Sequence, residues 1–172
     1  MCRTIKQTDN KRALRTTFGQ FPTGVAIVTS VQPHGQPIGM TINSFSSVSM
    51  SPALVSWCID LHAISYLHFA EAEQFSISIL ASGQNELAKR FATRGADKFA
   101  GIACDGNQGP VIPGACAWFI CRHHSSILLG DHLMIVGEVT NYHHRPGQPL
   151  VFSQGKFQQL ADTDTTTTQV AA

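Results

Sequence analysis

Charge is what this sequence has least of. Twelve of its 172 residues are Lys or Arg and eleven are Asp or Glu, a charged share of 13%, about half the usual proportion. The formal net charge is +1 and the basic residues form no block, which argues against nucleic acid or an anionic membrane as the main partner. A surface this poor in charge needs cover, and a homodimer is the simplest expectation. Long apolar runs are missing too: none approaches the ~20 residues needed to span a bilayer. The stretch 1–12 is polar and lacks the apolar segment of a secretory signal. Cys2, Cys58, Cys104, Cys116 and Cys121 are odd in number and contain no CxxC pair. Neither a disulfide framework nor a structural zinc site is indicated, and a reducing cytoplasm is the expected location. No GxGxxG follows a strand and opens a helix, so no Rossmann site is expected.

What is present is a succession of short strand signals. Leu14, Phe18 and Phe21 recur at helical spacing and predict a helix over 11–21, stopped by Pro22. Strands are expected at 25–31, 38–45 and 53–59, the first two joined through the turn residues Pro33 to Pro37. A helix is expected at 65–72. Phe75, Ile77 and Ile79 then alternate with serines in a strand, and a second helix covers 85–92. The stretch 96–115 is rich in glycine and proline and reads as loop. Strands at 117–122 and 132–142 follow, with shorter ones near 149 and at 156–160. Many strands, few helices and no βαβ rhythm predict a mainly β fold, an antiparallel barrel. One domain is expected over 12–160, with 1–11 and 161–172 as flexible termini.

Residues 39–52 carry the most information. Thr41, Asn43, Ser44, Ser46, Ser47, Ser49 and Ser51 crowd one strand end. Short hydroxyl and amide side chains can bind a polar ligand while the backbone comes close to it. They also collect in turns for purely local reasons, and composition alone favours that second reading.

The order of residues is more specific. Phe21-Pro22-Thr23-Gly24-Val25, then Gly39 to Ser49, Pro52-Ala53-Leu54-Val55, Gly130-Asp131-His132 leading to Val136-Gly137-Glu138-Val139, and Pro149 to Phe157 resemble, in register, the flavin reductase family. The resemblance spans about 12–160. It implies a split antiparallel β-barrel with Greek-key connections and a few short helices, usually homodimeric. It implies FMN or FAD as cofactor, NADH or NADPH as hydride donor, and a partner monooxygenase supplied with reduced flavin. It places Thr41, Ile42, Asn43, Ser44, Phe45, Ser46, Ser47 and Val48 along the flavin, with Asn43, Ser44 and Ser47 as polar contacts. It sets Thr23 and Gly24 by the ring system and Cys58 and Ile59 at a strand end beside it. Ser65, at the start of its helix, and Arg90 are the expected phosphate partners, with Phe91 beside them and Lys89 as a substitute for Arg90. His132 is expected where nicotinamide stacks on the flavin, with Gly155, Lys156 and Phe157 in the same cleft.

Other readings compete at single positions. Cys58 reads first as a small packing residue, Ser65 equally as a helix cap, Arg90 as a solvated cation, and His132 as a rim histidine. Adjacent histidines in a strand face opposite sides, so His123-His124 and His143-His144 read as surface residues and no metal site is expected. A flavin-binding electron carrier on the same barrel is the alternative to a reductase. An oxidase resembling pyridoxamine phosphate oxidases would need more basic residues than the chain has.

Overall fold

In the computed structural model the described residues are 11–103 and 109–161; Cys2, Cys104 and most of both terminal segments lie outside them. The element order is α1 (Lys11–Phe18), β1 (Thr23–Gly24), β2 (Ala26–Val31), β3 (Pro37–Ile42), β4 (Ser46–Met50), β5 (Ala53–Asp60), α2 (Tyr66–Glu71), β6 (Gln74–Ile79), α3 (Asn85–Ala92), β7 (Ala117–Leu129), β8 (His132–His144), β9 (Val151–Ser153) and β10 (Lys156–Gln158). Seven strands form one antiparallel sheet in the order β3-β2-β6-β7-β8-β5-β4, and β1, β9 and β10 form a second, small one.

The edges of the large sheet are β3 and β4, consecutive in the chain and joined only by residues 43–45. Edges so tethered cannot lie at opposite ends of a flat sheet, so the sheet curls upon itself. One apolar cluster confirms the curl by uniting Val28 of β2, Ile42 of β3, Trp57 of β5, Phe75 of β6, Cys121 of β7 and Ile135 of β8. At its centre the Trp57 ring meets Phe69 and Phe75 edge-on, with centroids 5.1 and 5.9 Å away. The fold is the split barrel with Greek-key connections.

Strand β2 is buried along nearly its whole length because both faces are covered. Ala26 and Val28 face the barrel interior, while Val25 and Ile27 join Leu80, Ala88, Phe91, Ile112 and Leu150 in a second cluster under α3. Each large side chain so buried contributes about 1.5–3 kcal/mol. Cys121 belongs to the interior, and burial pushes its thiol up to about 12, which leaves it un-ionised and chemically inert.

Several boundaries differ from the expectation. Helix α1 ends at Phe18, where Gly19, Gln20 and Phe21 donate back to Arg15, Thr17 and Phe18 in a tightened turn. The strand expected to run to Phe45 stops at Ile42, and the serine-rich stretch, weighed as a turn, is itself strand β4, paired with β5. Strand β7 continues seven residues past Arg122 to Leu129, because pairing with β8 carries the polar stretch His123–Ser126 along with it. Gly130 and Asp131 then close a two-residue hairpin, Gly130 at φ +60°, the conformation such turns require.

Candidate functional site

A cleft of about 610 Å³ opens on the outer side of β3. Its walls are Ile38–Thr41 of β3, Ala63–Ser65 and His68 around α2, and the end of α3 with the loop Arg94–Phe99. Phe91 explains why β3 carries a glycine here: a Cβ on Gly39 would stand 2.7 Å from the Phe91 ring and 3.1 Å from the Val28 carbonyl oxygen. Phe91, fully buried, also meets Phe99 edge-on at 5.1 Å. An apolar floor thus lies beneath polar walls.

Two cations stand at this cleft that the sequence reading did not single out. Lys98 is half-buried and donates to the Gly39 carbonyl oxygen at 2.9 Å. Burial holds its ammonium below the usual lysine range, so an anion beside it would restore what desolvation takes away. Arg94 is exposed and has no ion-pair partner among the described residues. Arg90, by contrast, does not line the cleft; its guanidinium donates to the Ala100 carbonyl oxygen at 3.0 Å. Lys89 is taken by Glu86 at 2.7 Å.

Of the residues expected at the site, the cleft brings together Thr41, Ser65 and Phe91. The Thr41 hydroxyl donates to the Ala88 carbonyl oxygen at 2.7 Å and so clamps β3 to α3. Ser65 makes no capping bond to α2; its hydroxyl instead points to the Met40 sulfur at 3.7 Å. Helix α2 is six residues long and begins after Ser65, too short to offer a developed N-terminal cradle.

Ile42 is buried in the interior. Asn43, Ser44, Phe45, Ser46, Ser47 and Val48 continue from the cleft along the split between β3 and β4, and none lines the cleft itself. Ser44 is structurally committed: its hydroxyl accepts from the Cys58 N–H at 3.0 Å and donates to the Cys58 carbonyl oxygen at 3.3 Å. Phe45 stacks on Phe119 at 5.5 Å. The side chains of Asn43, Ser47 and Val48 are exposed. Cys58 is half-buried, which raises its thiol pKa, and Ile59 belongs to the core.

His132 opens β8 opposite Asp60, the last residue of β5. The link to the cleft is short. Leu61 donates to the Asp131 carbonyl oxygen at 3.0 Å and Ala63, a cleft residue, to the Asp60 carbonyl oxygen at 2.9 Å. His132 Nδ1 donates to Asp131 Oδ1 at 2.7 Å, which fixes the ring and leaves Nε2 free of that bond. Asp131 is held below the usual carboxylate range first by that hydrogen bond and then by the charge of His132. Asp60 is lowered too, by the His62 N–H and then by the His62 ring.

That shift has a testable sign. A carboxylate depressed in the folded state contributes stability above its unfolded pKa and loses it as pH falls through the folded value. Asp131→Asn should therefore flatten the acid limb of a plot of melting temperature against pH, below about pH 4. Superimposable acid limbs for the two proteins would show that the bond does not persist in solution.

Thr23, Gly24, Lys156 and Phe157 lie on the small sheet, Gly155 in the turn between β9 and β10, and none lines the cleft. Thr23 pairs with Phe152, and Phe157 meets Phe152 edge-on at 5.7 Å against the second cluster. The Thr23 hydroxyl oxygen is buried without a hydrogen-bond partner among the described residues. His123 reaches Ser126 at 2.7 Å, His143 packs by Trp118, and His124 and His144 are exposed.

A flavin is a flat apolar ring system with a polar edge, a hydroxylated chain and a phosphate. The cleft offers apolar surface at Met40 and Ile64 with Phe91 buried behind it, a hydroxyl at Ser65, and two cations at Arg94 and Lys98. The donor set fits that group.

Comparison with known proteins agrees. The family model for the flavin reductase like domain matches residues 18–161. FMN reductase (NADH) SmoA of Agrobacterium fabrum is 44% identical over 151 residues, 87% of this chain and 86% of that protein. The reductase component of 4-nitrophenol 4-monooxygenase/4-nitrocatechol 2-monooxygenase from Rhodococcus opacus is 35% identical over 158 residues, 91% and 85% of the two chains. Among solved structures, the NADH:FAD oxidoreductase of Streptomyces globisporus, in complex with NAD and FAD fragments, superposes with a TM-score of 0.83 at 36% identity, covering 93% of this chain and 100% of that one. A split barrel, a cleft suited to a flavin and a family match along most of its length place this chain in the flavin reductase family.

Proposed function

We propose that this protein is an NAD(P)H-dependent flavin reductase that takes FMN or FAD and supplies reduced flavin to a partner monooxygenase. The observation that carries the reading is the cleft, with cations along one wall and the Asp131–His132 pair tied to another through Leu61 and Ala63. Bound flavin supplies the chemistry, accepting a hydride from the nicotinamide. The chain's own residues bind and orient. Met40 and Ile64 would offer apolar surface to the ring, Arg94 and Lys98 would receive the phosphate, and the exposed serines of β4, beyond the cleft lining, would be the polar groups toward the ring edge. His132 presents Nε2 to the nicotinamide carboxamide. Hydride transfer needs such close positioning and no protein nucleophile.

Mixing the purified protein with NADH or NADPH, each with FMN or FAD, and following the reduced-nicotinamide absorbance tests the reading. Rapid oxidation that requires added flavin is the expected result. Flavin binding without turnover in any combination would leave an electron carrier in its place.

A homodimer completes the proposal. Leu14, Phe18 and Phe21 stand 53, 68 and 76% exposed, and Leu128 at the β7–β8 tip 65%. So much exposed apolar surface on a charge-poor protein is best covered by a second copy. Light scattering should give twice the chain mass; a monomer at micromolar concentration would refute it.

A further inference from the structure

A second groove, about 600 Å³, adjoins the cleft. The two share Gln32, Ile38 and His68 as walls, so a ligand long enough to pass over that shared wall can occupy both. We propose that this second groove holds the adenosine end of FAD, making the protein selective for FAD over FMN; the proposal rests on the cleft being the flavin site.

The chemistry of the two compartments is complementary to the two halves of FAD. The cleft has the cations, Arg94 and Lys98, which suit phosphate. The second groove has none of the chain's lysines or arginines in its lining and instead carries the carboxylates of Glu71 and Glu73. Carboxylates accept hydrogen bonds and repel anions, so the groove suits a group with hydroxyl and amino donors and no charge. The ribose diol and exocyclic amine of adenosine are such donors. Pro33 and Ile38 give a purine face apolar surface, and the Gln32 amide offers both a donor and an acceptor to its edge. His68, on the wall between the compartments, stands where a second phosphate would pass. FMN would end at that wall and leave the groove to water. Each compartment lies within the size range of small-molecule sites, ~300–1,000 Å³.

The test measures dissociation constants of FMN and FAD by quenching of flavin fluorescence, for the native protein and for a Glu71→Ala, Glu73→Ala double variant. Both glutamates are exposed, so the variant should keep its melting temperature, and that is checked. The expected result is that FAD binds the native protein at least tenfold more tightly than FMN, and that the double variant loses about tenfold for FAD and less than twofold for FMN. Equal affinities for the two flavins, or a variant that shifts neither or both alike, would overturn the proposal while leaving the flavin cleft standing. A change in the KM for NADH without a change in FAD affinity would assign the groove to the nicotinamide dinucleotide instead. Failure to bind either flavin would refute the cleft reading itself.

Discussion

Arg94→Glu is expected to weaken flavin binding by about 100-fold, measured as the dissociation constant in a fluorescence titration at fixed salt. Arg94 is exposed, carries no ion pair among the described residues and lines the cleft. Losing a hydrogen bond to a charged group costs about 1.5–3 kcal/mol, and each 1.4 kcal/mol is tenfold in affinity. The introduced carboxylate adds repulsion of the phosphate. Lys98→Met keeps the stem and removes the charge, and should cost about tenfold on the same scale. Both losses should shrink as salt is raised, because the contact is with a partly solvated anion. Arg90→Ala is the informative comparison, since its guanidinium is spent on the Ala100 carbonyl oxygen. Were Arg90→Ala to cost more than Arg94→Glu, the phosphate would belong to Arg90, as the sequence alone suggested.

The largest effect on stability is expected at Gly109, and Gly109→Ala should cost about 3–5 kcal/mol. Its φ is +78°, and an added Cβ would stand 2.6 Å from the Thr29 carbonyl oxygen and 2.7 Å from Ser30 Cα. Those are backbone atoms of a buried strand, which cannot turn aside as a side chain can. The surrounding hydrogen bonds depend on that close approach. Ser76 donates to the Gly109 carbonyl oxygen at 2.9 Å, Thr29 to the Pro110 carbonyl oxygen at 2.8 Å, and the Ile112 N–H to Ser78 Oγ at 3.0 Å. These bonds satisfy the buried hydroxyls of β2 and β6, which would otherwise each cost about 1–3 kcal/mol. A melting temperature lowered by roughly 10 °C follows from the usual scaling for a chain of this size. Gly83→Ala serves as control, since nothing lies within 4 Å of its added Cβ and its φ is not positive. If Gly109→Ala melts with the native protein, the loop does not press on β2 as described.

Much of this architecture was legible in the sequence, for identifiable reasons. Helix α3 agrees with its expected limits, and β5 and β6 nearly so, because alternation or helical periodicity is unbroken there. Strand β4 was hidden because serines carry no strand preference and its pairing with β5 is a tertiary choice. The far half of β7 was hidden for a similar reason: Arg122 to Ser126 is polar on both faces, and only the long partner strand draws it into the sheet. At the candidate site, order along the chain pointed to Thr41, Ser65 and Phe91, which the fold gathers in one cleft. Arg94 and Lys98 escaped notice because they sit in a loop with no periodicity. The available signal was Phe99, an aromatic in that loop whose packing on Phe91 fixes where the loop must lie.

The curled sheet has two free edges, and each is a row of backbone groups able to pair with another chain. The chain blunts them by different means. Strand β3 is covered by α3, by the Thr41 clamp to Ala88 and by the Lys98 ammonium on the Gly39 carbonyl oxygen. Strand β4 is left uncovered by the described residues, but its register shifts between Ser47 and Ser49, and such a bulge twists an edge away from regular pairing. If the cleft holds the flavin phosphate as proposed, Lys98 has two duties, one toward that ligand and one toward the β3 edge. A change there that spares the fold still uncovers an edge, and the first sign would be aggregation on standing rather than a lower melting temperature.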